Sequence, residues 1–217
     1  MIGPIIPLRI NKILNEIDFP RHAYNTYVIS SKDENHRTRQ KWLRDVGCFD
    51  GHSFLEVLKA TRCNRAKVFQ YKLVNRILST NVYLKLIKVN ENDVCTFCEQ
   101  APETLAHMYW FCPHIESYIN DIKTSFVNEY NIRLNITPMT WFFLKNSTEM
   151  EACALVFAKI IIYEARLGGH IPNIQHFKNK LKREIETERN IAKESDKLDT
   201  FEKKWAGILD GITHGSG

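Results

Sequence analysis

The sequence predicts a mainly α-helical protein with little or no sheet, interrupted by one small metal-binding insertion. Three observations carry this. Apolar residues recur at helical spacing in at least four separated stretches, beginning with Phe69, Leu73 and Ile77 with Val74 and Leu78 beside them. Capping signals open several of these stretches, such as Thr148 followed three residues later by Glu151. Between the helical groups lies CTFCEQAPETLAHMYWFC, residues 95–112, with C-x2-C followed by H-x4-C. Zinc takes four soft or borderline ligands in a tetrahedron, and C-x2-C aims two thiolates at one point. Cys95, Cys98, His107 and Cys112 are therefore the candidate ligands of one structural Zn2+. Buried reduced cysteines beside a hydrogen-bonded histidine are the plainer alternative. A Cys95–Cys98 disulfide is disfavoured, because nothing else points to an oxidising compartment.

Residues 1–36 read as an irregular arm, broken by Pro4, Pro7 and Pro20. A basic helical region follows over 37–90. Arg37 to Asp45 forms one helix, stopped by Gly47 or Gly51 and anchored by Trp42, and Phe54 to Ala60 forms another. The next helix is expected over Arg65 to Leu78, with Ser79-Thr80-Asn81 ending it and capping Val82 to Ile87. Arg65, Lys72 and Arg76 then share one narrow face, flanked by Arg62 and Lys67.

The metal knuckle occupies 91–115. Ala101-Pro102-Glu103 resembles a helix start, with proline and an acid in the first turn. Pro113 forces Cys112 out of helical geometry and turns it toward the metal. The C-terminal helical region, 116–217, opens with a helix from Ile115 to Glu129. Trp141 to Leu144 is core rather than a base-stacking platform, and Met150 to Arg166 is a buried helix stopped by Gly168-Gly169. Pro172 begins one long helix reaching Trp205, and Ile212 to Gly217 is a small-residue tail.

Composition is that of an ordinary globular chain, with 44% hydrophobic and 25% charged residues. No apolar run reaches membrane-spanning length, and Met1 to Leu8 is too short and too proline-broken for a secretory signal. The expected setting is nucleus or cytoplasm, unsecreted. Cys48, Cys63 and Cys153 read as small buried hydrophobes. The net charge of +5 is unevenly spread: residues 51–90 hold eight Lys or Arg against Glu56 alone, while 91–150 hold three against eight Asp or Glu. Such asymmetry fits a polyanion-binding face, although a solvated amphipathic helix is the commoner meaning of such a row.

Paired carboxylates for two magnesium ions are missing, since no Asp-Asp occurs, and no Walker loop, G-x-S-x-G or H-E-x-x-H is present. Glu103 and His107 lie four apart, but His107 is better used as a ligand than as half of an acid–base pair. The chain is read as non-catalytic.

The segment Lys72 to Asn81, with Arg76-Ile77-Leu78-Ser79-Thr80-Asn81, leads to Cys95-Thr96-Phe97-Cys98, Glu103-Thr104-Leu105-Ala106-His107 and Trp110-Phe111-Cys112-Pro113. These residues resemble the zinc-binding region that follows the polymerase in non-LTR (LINE-type) retrotransposon reverse transcriptases. The likeness is strong from about Arg39 to Pro113 and weaker from Glu151 to Trp205, where Asn190-Ile191-Ala192 and Phe201 to Trp205 carry it. It implies a module that binds template RNA or target DNA, with Arg62, Arg65, Lys67, Lys72 and Arg76 on phosphates and the polymerase part of such an element as a further partner. A protein-interaction or structural domain, in which zinc replaces a missing core, is the alternative.

Overall fold

The computed structural model describes the backbone of residues 37–51 and 53–214, with side chains from 55 to 209 in the second stretch. The expected arm over 1–36 lies outside the described residues, as does the tail beyond 214. The mainly helical expectation holds. A helix across 37–46 (α1) is followed by α2 (Ser53–Ala60), α3 (Asn64–Val74) and α4 (Asn81–Leu86). Then come a π-helical turn, His107–Phe111, α5 (Pro113–Tyr130), α6 (Pro138–Phe143), α7 (Glu149–Leu167), α8 (Ile174–Glu194) and α9 (Leu198–His214). The bridge Val94–Pro102 is the sole β pairing among the described residues.

Helix α7 is the axis of the bundle. Its sequence is apolar on nearly every side, so it must be enclosed, and α2, α3, α8 and α9 pack around it. The box predicted at its start forms in full: Thr148 accepts from the Glu151 amide and Glu151 from the Thr148 amide. Gly168 ends α7, and Gly169 follows at φ +66°, a backbone state that glycine enters without strain. Trp42, Trp141, Trp205, Phe142 and Phe143 are wholly buried in a core that runs from α1 to α9. Each such side chain contributes roughly 2–3 kcal/mol on burial. Trp42 also donates its indole N–H to the Val74 carbonyl at the end of α3, at 2.8 Å.

Three helix boundaries differ from expectation. The third helix ends at Val74, not Leu78, because Arg76 turns into the left-handed region at φ +58° and the Arg76 and Ile77 amides close the turn on Leu73 and Lys72. Ile77, expected on the apolar face, is consequently exposed. The long C-terminal helix is two helices, broken at Ser195–Lys197, with Asp196 at φ +53°. Its N-cap is Asn173, whose side chain accepts from the amides of Gln175 and His176. Lastly, Ile212 to His214 continue α9 rather than beginning a tail.

Lys159 carries the one fully buried lysine amine among the described residues. Its Nζ donates to Gln70 Oε1 of α3 at 2.7 Å and to the Trp141 carbonyl of α6 at 2.6 Å. Gln70 in turn donates to the Phe142 carbonyl at 2.7 Å. Burial pushes the amine well below its ordinary pKa, so between that value and about 10.4 the unfolded chain binds a proton that the folded chain does not. Stability must therefore rise with pH across that window. Comparing wild type with Lys159→Met by chemical denaturation isolates this effect. The difference in unfolding free energy should climb in favour of wild type as pH rises toward about 10, with a slope of up to about 1.4 kcal/mol per pH unit; a flat difference refutes it.

Candidate metal centre and basic helix

The centre is assembled from a loop and a turn. In the loop, Cys95 N–H bonds the Ala101 carbonyl at 2.8 Å, Glu99 N–H bonds the Cys95 carbonyl at 3.0 Å, and Glu99 takes φ +54°. This tight reversal points Cys95 and Cys98 to one side, and Phe97 N–H donates to Cys95 Sγ at 3.4 Å. The other two donors come from the π-helical turn. Thr104 Oγ1 accepts from the His107 amide at 3.1 Å, and Cys112 sits at ψ 130°, extended, as the N-cap of α5 with Pro113 in its first turn. Pro113 acts as expected. The expected helix start at Ala101–Glu103 does not form: Pro102 pairs with Val94, and helical geometry begins at Leu105.

One ligand atom each from Cys95, Cys98, His107 and Cys112 lies within 4.8 Å of the others. Cys95 Sγ and Cys112 Sγ are 4.0 Å apart, and Cys98 Sγ is 3.3 Å from His107 Nε2. A tetrahedron with bonds of ~2.3 Å to sulfur and ~2.0 Å to nitrogen needs separations of roughly 3.5–3.8 Å. The donor set therefore fits a metal ion, and no fourth position is left open for water. Burial pushes the Cys95 thiol up to about 12 and raises Cys112. Cys98 is also raised by burial, but donors from Gln100 and Ala101 outweigh this and hold it below the usual thiol range. Burial lowers His107 and favours the neutral imidazole that a metal requires.

Behind the cluster sits Glu103, whose carboxylate is completely buried. Oε1 accepts from the Asn81 amide at 2.9 Å and from Arg166 Nε at 2.8 Å. Oε2 accepts from the amide and hydroxyl of Thr96 at 2.9 and 2.6 Å. Asn81 extends the network, donating to the Val94 carbonyl at 2.7 Å and accepting from Arg166 Nη2 at 3.0 Å. One carboxylate thus ties the cysteine loop, the start of α4 and the end of α7 together. Glu103 is met by these donors, and among the described residues no hydrogen bond joins it to His107. Asn81 and Arg166 were not foreseen as positioning residues; a polar Asn at a helix start and an Arg closing an apolar helix were the available signals.

The row of cations is only partly as expected. Arg62 and Arg65 are exposed and Lys72 is half-buried, with Arg65 Nη2 3.0 Å from Glu164. Arg76 does not continue the row. It leaves the helix, pairs with Asp45 Oδ2 at 2.6 Å, and lies 4.5 Å over the Trp42 ring. Lys67 also departs from the surface and is only 9% exposed.

No known protein family matches the chain, and no curated protein matches it either.

Replacing Glu103 by Gln keeps the shape but strips the charge that holds Arg166. A buried guanidinium without its partner costs about 3–5 kcal/mol. Urea denaturation of Glu103→Gln should show a loss of that size, partly recovered in the double variant with Arg166→Met. A loss under 1 kcal/mol would remove Glu103 from the centre of the network.

Proposed function

We propose that the chain is a zinc-stabilised, non-catalytic nucleic-acid-binding module similar to the post-polymerase region of LINE-type reverse transcriptases, gripping template RNA or target DNA by its phosphates. The convergence of Cys95, Cys98, His107 and Cys112 within 4.8 Å carries this reading. Three thiolates and an imidazole select zinc among the available divalent ions, and four protein ligands make the site structural. The resemblance places such a knuckle directly after a basic helix, and α3 supplies Arg62 at its threshold and Arg65 and Lys72 along it. With Arg76 and Lys67 turned inward, these three are the side chains on the outer face that can meet phosphates. A nuclear or cytoplasmic setting goes with this reading. No helix among the described residues is long and apolar enough to cross a membrane.

A protein-interaction module is the second reading, favoured by α4. None of its residues is buried, and Tyr83, Leu86, Ile87 and Val89 present large apolar surface to solvent.

Metal analysis of gently purified protein should give one zinc per chain, and less than half an equivalent would end the zinc reading. Cys98→Ser should lose the metal and more than about 4 kcal/mol of stability; an unchanged melting temperature would favour plain buried thiols.

Three phosphate contacts on a single strand imply a log–log salt slope near about −2, at ~0.7 per phosphate. Replacing Arg62, Arg65 and Lys72 together by Gln should flatten that slope and weaken all sequences alike, leaving the fold intact. Equal binding of RNA and DNA by wild type and triple variant would transfer the weight to the interaction reading.

A further inference from the structure

The cations that begin α3 do not stand alone, because the middle of α8 brings more to the same place. Arg65 Nη2 lies 3.0 Å from Glu164 Oε1, and Lys180 Nζ of α8 reaches the same oxygen at 2.6 Å. A second tie joins α8 to the approach to α3, where Thr61 donates its hydroxyl to Glu184 Oε1 at 2.7 Å. Arg62 follows Thr61 in the chain and Arg183 precedes Glu184, so this tie sets two further cations at the junction, both exposed. Lys180 and Arg183 are three residues apart, which makes them neighbours on one face of α8.

The acids at the junction offset this charge only in part. Glu164 serves Arg65 and Lys180 at once, one carboxylate for two cations. Glu184 is half-buried and accepts from Thr61. Glu186 is exposed, but Lys182, Arg183 and Arg189 lie three or four residues from it along the helix.

The kind of partner follows from what the junction lacks. Single-strand binders set aromatic side chains beside their cations, because unpaired bases stack on them. The exposed aromatics among the described residues are Tyr83 of α4 and Phe111 of the π-helical turn. Asn81 and Glu103, which lead into those elements, meet α7 at Arg166. Arg166 is two residues beyond Glu164 and so about 200° round the helix from it. The junction offers charge without a stacking surface, which suits a partner whose bases are already paired.

We infer that Arg62, Arg65, Lys180 and Arg183 form one surface that receives the phosphate backbone of a base-paired nucleic acid without reading its sequence. The choice of nucleic acid among polyanions rests on the function proposed above; the gathering of the four cations does not. Glu164 is then an internal stand-in for phosphate, holding Arg65 beside Lys180 until the ligand takes its place.

Fluorescence anisotropy of the full chain with a labelled DNA duplex, and with one of its separated strands, tests this surface. Wild type should prefer the duplex. Lys180→Gln combined with Arg183→Gln should weaken duplex binding and flatten its log–log salt slope by about 1.8, at ~0.9 per phosphate. Glu164→Gln relieves both cations of their internal acceptor and should tighten binding. Duplex affinity and slope unchanged in the double variant overturn the proposal, as does equal or tighter binding of the separated strand. Should the double variant fail to fold, the exposed Arg183→Gln replaces it, with a slope about 0.9 flatter expected. Wild type that binds neither probe removes the nucleic-acid reading and this inference with it. Binding that is weakened by the Arg62, Arg65 and Lys72 triple variant but not by the α8 variants spares that reading and overturns this inference alone.

Discussion

Glu103 is the charge on which the placement of the cysteine loop depends. Sequestering a carboxylate is strongly unfavourable unless its oxygens are met by donors and an opposite charge. Here amides from two segments, a hydroxyl and a guanidinium all converge on it. The consequence is geometric. The cysteine loop, the start of α4 and the end of α7 can satisfy one carboxylate only in one mutual placement. Helix α4 shows what this achieves, since it buries no residue of its own and is positioned by Asn81 and the Thr80 cap rather than by packing. A metal ion would lock the loop internally, whereas Glu103 locks it to the rest of the molecule.

Helix α7 sends two deeply buried basic side chains to other elements. Lys159 and Arg166 are seven residues apart, two helical turns, and so leave the same face. Lys159 engages Gln70 of α3 and the Trp141 carbonyl toward the C-terminal end of α6, where the helix dipole is negative. Arg166 engages Glu103 and Asn81. A helix apolar on nearly all sides could rotate or slide among similar neighbours at modest cost. Two polar groups on one face with fixed partners oppose both motions, since any slip strands a buried donor.

Much of this was legible in the chain. Spacing alone picked out the four residues whose ligand atoms converge within 4.8 Å, because C-x2-C and H-x4-C each encode a local turn and only their convergence needed the fold. Caps were equally local: Thr148 with Glu151, Thr80, and Pro113 behave as their side chains dictate. The end of α3 was not legible. Apolar residues continue to Leu78, and the stop at Arg76 and Ile77 comes from the backbone turning at Arg76, a residue with no intrinsic preference for positive φ. What holds Arg76 there is distant in sequence, namely Asp45 and the ring of Trp42. The break before α9 likewise lacks glycine or proline, with Asp196 taking the left-handed state. Periodicity reports which residues want burial; it does not report which partner claims a charge.

That distinction changes how the basic stretch should be weighed. Eight cations against one acid in residues 51–90 suggest an intense positive field. In the fold Arg76 is absorbed by Asp45, Lys85 pairs with Asp93, and Lys67 is withdrawn from the surface. The pairs are not equivalent, however. Arg76 and Asp45 are both largely buried, so parting them would strand charge in a poorly solvated place. Arg65 is three-quarters exposed in its pair with Glu164, and Glu164 keeps Lys180 if Arg65 leaves. An exposed pair of this kind is worth only about 0–1 kcal/mol, so Arg65 can exchange Glu164 for a phosphate at little cost. The charge available to a polyanion is therefore smaller than the sequence count, and it is gathered where α3 begins, beside amides that no side chain caps.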